Sequence, residues 1–137
     1  MAQSILIAED DADIRELFSL ILSGAGYAVT TVADGVGALT RLAYAPPELV
    51  ILDLNMPRVD GLEVLAAIRT VETWKDVPVL VLTASGVGDN LVAARRLGAR
   101  GYLLKPITPA GLVERVQQIL TDRSLVWLDD ITLSRAG

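Results

Sequence analysis

The chain has 137 residues, carries a formal net charge of −5 and contains neither histidine nor cysteine. The missing histidine excludes a Ser-His-Asp triad and an imidazole-ligated metal, and the missing cysteine excludes disulfides and thiol chemistry. The acidic balance disfavours direct binding to nucleic acid. Carboxylates, lysine, hydroxyls and backbone groups therefore remain to carry the chemistry, and their oxygen atoms suit a hard divalent cation.

The N-terminal residues and the hydropathy pattern predict a protein without membrane insertion. Residues 1–5 lack the basic segment that opens a signal peptide, and they run directly into a short apolar stretch. No window approaches the roughly 18 uncharged apolar residues that a membrane-spanning helix needs. Together with the absence of cysteine, this predicts a cytoplasmic location.

Short apolar or β-branched runs alternate along the chain with segments of helical periodicity. In chain order they predict a strand at 5–8, a helix around 14–21, a strand at 27–32, a helix around 36–43, a strand at 49–52, a helix around 62–68, a strand at 77–82, a helix at 90–97, a strand at 102–104 and a helix around 113–120.

Proline and hydroxyl residues mark several boundaries of these elements. Pro46 and Pro47 stop the second helix, because proline cannot continue a helical hydrogen-bond ladder. Thr108 and Pro109 suit the N-cap and the first position of the last helix. The run at 49–52 is apolar throughout, as in a strand that is buried on both faces.

Five βα units in succession predict an α/β fold with a parallel, doubly wound sheet covered by helices on both faces. For five strands the usual order is 2-1-3-4-5, the flavodoxin-like arrangement, and ligands bind beyond the carboxyl ends of the strands. Residues 1–120 are expected to form this one domain. Residues 121–137 form a C-terminal extension that is interpreted as an arm, a hairpin or a linker remnant.

Polar residues collect where the predicted strands end. Glu9 and Asp10 follow the first strand and Asp53 follows the third, its neighbour in the predicted order, while Thr83 and Lys105 follow the fourth and fifth. Two unit charges about 4 Å apart repel by about 4 kcal/mol at an effective dielectric constant of about 20, so a cluster of three carboxylates either takes up protons or binds a cation. Each residue alone is an ordinary cap, turn or surface residue. Together they predict a phosphoryl-transfer site with Asp53 as the nucleophile.

Four motifs, in this order and spacing, resemble the response-regulator receiver family of bacterial two-component systems over residues 4–120. Any one of the motifs is weak, whereas the set is specific. The motifs are Ile7-Ala8-Glu9-Asp10-Asp11, Leu52-Asp53-Leu54-Asn55-Met56-Pro57 with Asp60-Gly61, Leu82-Thr83-Ala84, and Gly101-Tyr102-Leu103-Leu104-Lys105-Pro106.

The resemblance implies roles for the acidic residues. Asp53 would be the phosphoacceptor, and Asp53, Asp10, Glu9 and the backbone carbonyl of Asn55 would hold Mg²⁺, with Mn²⁺ as an alternative. Glu9 would reach the metal directly or through water, and it stands where many relatives have aspartate. Asn55 and Ser85 occupy the two positions that tune the lifetime of the phosphoryl group in this family.

The resemblance also implies a switch. Lys105 would pair with a carboxylate at rest and with the phosphoryl group after transfer, and a cis bond would join it to Pro106. The hydroxyl of Thr83 would move to a phosphoryl oxygen, and Tyr102 would turn inward in response. The signal would leave through the face formed by the fourth helix, the fifth strand and the fifth helix.

The implied partners are a sensor histidine kinase or a histidine phosphotransfer protein as donor, and a downstream protein as target. The chain would catalyse only its own phosphorylation and dephosphorylation, so it is not expected to be an enzyme with external substrates. One alternative is a degenerate receiver that acts as a binding module. Another is a small Mg²⁺-dependent phosphohydrolase, which Asn55 disfavours because a second aspartate is missing there.

The C-terminal extension has two interpretations of its own. Leu125, Trp127 and Leu133 would pack on a neighbouring chain and form a homodimer. Alternatively, the arm folds back on its own domain or is a remnant of a linker. The sequence leaves the kinase, the pathway, the output target, the phosphoryl lifetime and the oligomeric state open.

Overall fold

A computed structural model describes residues 2–56, 60–84 and 89–122. Within these residues five strands alternate with five helices. In chain order they are β1 (Ser4–Ala8), α1 (Ala12–Gly24), β2 (Ala28–Val32), α2 (Gly35–Tyr44), β3 (Leu49–Asp53), α3 (Gly61–Thr70), β4 (Val79–Thr83), α4 (Asp89–Arg96), β5 (Gly101–Leu104) and α5 (Pro109–Thr121). In this part of the chain no helix is long and apolar enough to cross a membrane.

The strands form one parallel sheet in the order β2-β1-β3-β4-β5, which confirms the predicted topology. Strand β1 pairs with β2 on one side and with β3 on the other, where Ala8 lies opposite Leu52. Strand β3 pairs with β4 so that Asp53 lies opposite Leu82. The register brings the end of β1, directly before Glu9, and the end of β3, at Asp53, to the same edge of the sheet.

Alternation along the strands divides the apolar side chains between two core layers, because successive side chains of a strand point to opposite faces. Leu6, Val50 and Val81 pack in the layer that α2, α3 and α4 cover. Ile5 and Ile51 pack in the opposite layer, which α1 and α5 cover. All five residues of β3 and of β4 are buried, as expected for central strands between two helical layers.

Two strands begin later than their sequence pattern predicts. The N–H of Tyr27 donates to the carbonyl of Leu22 in the turn after α1, so β2 begins at Ala28. The N–H of Val77 donates to the carbonyl of Trp74, and Pro78 has no N–H to offer a ladder, so β4 begins at Val79. At both places the apolar pattern predicts strand, but the backbone N–H groups of Tyr27 and Val77 form hydrogen bonds within the preceding turn instead.

A side chain caps the N-terminus of each of the helices α1, α2, α3 and α5. The predicted cap at Thr108 is confirmed, since its hydroxyl accepts from the N–H of Gly111, and Pro109 opens α5. Asp11, Asp34 and Asp60 each accept a hydrogen bond from a backbone N–H in the first turn of the following helix. A cap of this kind contributes about 1 kcal/mol.

Helix α5 ends at Thr121, at the start of the predicted C-terminal extension. Residues 123–137 lie outside the described residues. The domain limits of 1–120 and 121–137, and the arm, hairpin or linker over the second range, therefore stay predictions. The dimer contacts proposed for Leu125, Trp127 and Leu133 likewise lie outside the described residues.

Gly61 opens α3 against the end of β3. A Cβ at this position would lie 2.5 Å from the carbonyl oxygen of Asp53 and 2.6 Å from the Cα of Leu54. Both atoms belong to the backbone and cannot rotate away. The close approach holds the start of α3 against the strand end that carries Asp53.

We expect Gly61→Ala to lower the free energy of unfolding by about 1–3 kcal/mol, because the added methyl group overlaps buried backbone. Chemical denaturation monitored by circular dichroism measures the change. Gly24→Ala is the matched control, since a Cβ there has nothing within 4 Å and helical alanine is favoured over glycine. Equal destabilisation by both substitutions would contradict the steric explanation.

Candidate functional site

Asp53 is the last residue of β3, and its side chain is 1% exposed. Each of its two carboxylate oxygens accepts a hydrogen bond, one from a backbone N–H and the other from a charged side chain. The N–H of Asn55 donates to Oδ1 over 2.9 Å, and Nζ of Lys105 donates to Oδ2 over 2.9 Å. These two donors fix the rotation of the carboxylate, because they hold its two oxygens in different directions.

Glu9 follows β1 directly and is fully buried. Its backbone N–H donates to the carbonyl of Val32, which continues the pairing between β1 and β2 and holds the residue at the sheet edge. Its Oε2 accepts from the N–H of Asp11 over 3.3 Å. Its Oε1 has no hydrogen-bond partner among the described residues, although Nζ of Lys105 lies 3.4 Å away.

The electrostatics of the site follow from this crowding. Burial, and next the neighbouring carboxyl group of Asp53, raise the pKa of Glu9 from 4.5 to about 7. Burial by itself would lower the pKa of Lys105, but its hydrogen bond to Asp53 and the charges of Asp53 and Glu9 raise that pKa above its ordinary value. Lys105 is therefore a cation at neutral pH, while Glu9 holds its proton to a higher pH than an ordinary glutamate does.

Asp10, in contrast, is exposed, so packing does not restrict the orientation of its side chain. One carboxylate oxygen from each of Glu9, Asp10 and Asp53 lies within 4.8 Å of the others. The buried Oε1 of Glu9 accepts no hydrogen bond from the part of the chain that the structure describes, and the single ammonium group of Lys105 balances only part of the charge of three carboxylates. This donor set fits a hard divalent cation with oxygen ligands, which would fill the remaining coordination positions with water.

The other predicted site residues lie around this cluster. Thr83 ends β4 and Tyr102 lies in β5, and both side chains are buried. The peptide bond between Lys105 and Pro106 is cis, as predicted. Asn55 is exposed beside the carboxylates. Ser85, the second predicted lifetime position, lies outside the described residues.

Sequence reasoning missed two residues, Asp11 and Arg15, that form hydrogen bonds beside the acidic cluster. Asp11 was quoted only as part of a motif, yet its Oδ1 accepts from the N–H groups of Asp13 and Ile14 and caps α1. Its position just before a helical pattern is a usable capping signal. Arg15 donates to the carbonyls of Glu9 and Asp10, and no sequence pattern marks an arginine for that role.

Comparison with known proteins identifies the family. Residues 5–117 match the model of the response regulator receiver domain. The chain is also similar over 88% of its length to the chemotaxis response regulator CheY4 of Vibrio cholerae, with 34% identity, a TM-score of 0.84 and complete coverage of that structure. The chain therefore belongs to the response regulator receiver family, and the predicted family and its role in two-component signalling are confirmed.

Longer relatives share the same domain. The transcriptional regulatory protein PrrA of Mycobacterium leprae is 39% identical over 119 residues, which are 87% of this chain and 50% of that protein. The DNA-binding response regulator MtrA of Mycolicibacterium paratuberculosis is 36% identical over 117 residues, which are 85% of this chain and 51% of that protein. The chain thus spans about half the length of these two relatives.

The raised pKa of Glu9 predicts how the stability of the metal-free protein depends on pH. Between about pH 4.5 and 7 the folded state holds a proton on Glu9 that the unfolded state has released. Stability therefore falls as pH rises through this window, because the state that binds more protons is disfavoured by their removal. We expect a fall of up to about 3 kcal/mol from this residue.

Denaturation in the presence of a chelator, at several pH values from acidic to mildly alkaline, measures this dependence. Glu9→Gln removes the titration and should flatten the profile. Glu114→Gln, which neutralises an exposed carboxylate on α5, is the matched control and should keep the wild-type profile. A Glu9→Gln profile as steep as that of the wild type would show that another group causes the dependence.

Proposed function

We propose that Asp53 is the phosphoacceptor of this receiver domain, with the donor a phosphohistidine on a sensor histidine kinase or on a histidine phosphotransfer protein. The observation that carries the proposal is the geometry of the Asp53 carboxylate. Its oxygens are held by Lys105 and by the N–H of Asn55, at the sheet edge where Glu9 and Asp10 also lie. A carboxylate that is buried, held in one orientation and next to the ammonium group of Lys105 suits phosphoryl transfer.

The reaction exchanges one bond to phosphorus for another. A carboxylate oxygen of Asp53 forms the new O–P bond while the N–P bond of the donor breaks, and the departing imidazole takes up a proton. Lys105 remains near the reacting oxygens throughout, because its Nζ is already 2.9 Å from Oδ2. A fixed ammonium group stabilises the negative charge of the transferred group without having to reorganise.

Glu9, Asp10, Asp53 and the backbone carbonyl of Asn55 are the proposed protein ligands of a divalent cation. Mg²⁺ is the first choice because the available ligands are oxygens, and Mn²⁺ accepts a similar set. When bound, the cation would neutralise charge on the phosphoryl oxygens and hold them close to Asp53. The buried Oε1 of Glu9, which accepts no hydrogen bond from any described residue, supports its place in this set.

Phosphorylation would add about 1.5–2 units of negative charge at the edge where β3, β4 and β5 end. Thr83 and Tyr102 are proposed to respond, since they lie in the two strands next along the sheet. The face formed by α4, β5 and α5 would then report the change to a downstream protein. Val92 and Leu104, two large apolar side chains exposed on it, would contribute to that contact.

The chemistry is proposed to be confined to the domain's own phosphorylation and dephosphorylation. Asn55 and Ser85 would set how long the phosphoryl group survives. Both side chains are uncharged, so neither would act as an acid or a base towards the attacking water. No external substrate would be turned over, and the domain would work as a signalling switch.

Incubation with acetyl phosphate, with and without Mg²⁺, tests the proposal. We expect intact-mass spectrometry to detect one added phosphoryl group in the presence of Mg²⁺, and peptide mapping to place it on Asp53. Asp53→Asn should abolish the adduct, because an amide is not a nucleophile for phosphorus. A chelator should suppress it in the wild type.

Glu114→Gln is the matched control, since it removes an exposed carboxylate from α5 without touching the site. It should gain the phosphoryl group at the wild-type rate. An adduct that persists in Asp53→Asn would refute the assignment of the acceptor. Sustained hydrolysis of acetyl phosphate by the Asp53→Asn variant would indicate a phosphohydrolase that uses other residues.

A further inference from the structure

Arg15 is the fourth residue of α1, and its side chain reaches back to the loop that carries two of the three acidic residues. Its Nη1 atom donates to the carbonyl of Glu9 over 2.8 Å and lies 3.4 Å from the carbonyl of Asp10. We call this arrangement the Arg15 clasp. It joins the first helix to the backbone of the acidic loop rather than to its carboxylates.

The rest of the loop is also held from the helix side. Oδ1 of Asp11 accepts from the N–H groups of Asp13 and Ile14, and the N–H of Arg15 donates to the carbonyl of Asp11. The cap therefore fixes where α1 begins. The clasp then holds the two residues before the cap, which lie between the end of β1 and the start of α1, and Glu9 is held in addition by the bond from its N–H to the carbonyl of Val32.

These hydrogen bonds matter because the carboxylates of the loop repel each other and the carboxylate of Asp53. Asp10 is exposed, so packing does not orient it, and its carboxylate faces the like charges of Glu9 and Asp53. Rotation of the Asp10 peptide would relieve the repulsion by turning the side chain towards solvent. Two hydrogen bonds from one guanidinium oppose that rotation, since a hydrogen bond from a charged donor is stronger than one between neutral groups.

We propose that Arg15 is a positioning residue for the divalent cation of this receiver. It acts by holding the carbonyls of Glu9 and Asp10, so that both carboxylates stay directed at the site before the cation arrives. The inference rests on the proposed metal site. It assigns the role to hydrogen bonding and not to the charge of the guanidinium.

Positioning and charge predict opposite effects of a neutral substitution. If Arg15 mattered only as a positive charge beside an acidic site, its removal would reduce repulsion of the cation, and Mg²⁺ would bind more tightly. If Arg15 positions the loop, its removal lets the ligands rotate away, and Mg²⁺ binds more weakly. The sign of the change in affinity therefore separates the two roles.

Titration calorimetry with MgCl₂ on the folded wild type, Arg15→Met and Arg15→Lys is the test. We expect the Mg²⁺ dissociation constant of Arg15→Met to rise on the order of tenfold, as is typical when the residue that holds a metal ligand is lost. Arg15→Lys keeps the charge and one donor group, so its affinity should lie between the other two. An unchanged or tighter affinity in Arg15→Met would overturn the proposal.

Arg96→Met is the matched control, because it removes an exposed arginine from the end of α4 and changes the net charge equally. Its dissociation constant should stay within about twofold of the wild type, since solvent screens a distant exposed charge. Circular dichroism of each variant in chelator establishes that it is folded. Should Arg15→Met fold poorly, Arg15→Gln offers a second neutral side chain for the same comparison.

Phosphoryl uptake provides an independent readout. In Arg15→Met the Mg²⁺ concentration for half-maximal rate should rise with the dissociation constant, while the rate at saturating Mg²⁺ should return close to wild type. A saturated rate that stays low would mean that Arg15 acts on the phosphoryl donor, which contradicts the proposal. A wild type that binds Mg²⁺ but accepts no phosphoryl group would refute the proposed function and still leave the affinity comparison decisive.

Discussion

The contact on which the site depends is the pairing of one lysine with two buried carboxylates. Nζ of Lys105 lies 2.9 Å from Asp53 and 3.4 Å from Glu9, and so connects residues at the ends of β5, β3 and β1. Strands β3 and β5 are not neighbours, because β4 lies between them. A buried charge that loses its partner costs about 3–5 kcal/mol, so the lysine is needed for the apolar sheet to carry these acids at its edge.

One lysine does not balance three carboxylates, and the imbalance explains the behaviour of Glu9. Its pKa is raised to about 7 because burial and Asp53 both disfavour the charged form. A proton on Glu9 and a divalent cation at the cluster are therefore alternative ways to reduce the same repulsion. Cation binding would release the proton, since a carboxylate binds a metal in its charged form. The repulsion that makes the resting site unfavourable would also favour the binding of a cation.

Much of the fold could be predicted from residue patterns. Apolar runs such as Leu49 to Leu52 marked the strands, helical spacing marked the helices, and five βα units gave the strand order that the sheet adopts. The predicted strands in turn placed Glu9, Asp53 and Thr83 at strand ends, where the structure also has them. The starts of β2 and β4 were wrong by one and two residues, because turns took the hydrogen-bonding groups of Tyr27 and Val77. Such competition is a matter of geometry that periodicity does not encode.

The sequence by itself determined the kinds of residue at the site and the strand end on which each lies, because both follow from the order of elements along the chain. Only the tertiary structure decided how these groups act on one another. Burial of Glu9 against Asp53 sets its pKa, and the reach of Arg15 to the carbonyls of Glu9 and Asp10 fixes the loop. Desolvation and hydrogen-bond direction depend on distances of a few ångströms, and linear spacing in a sequence does not specify them.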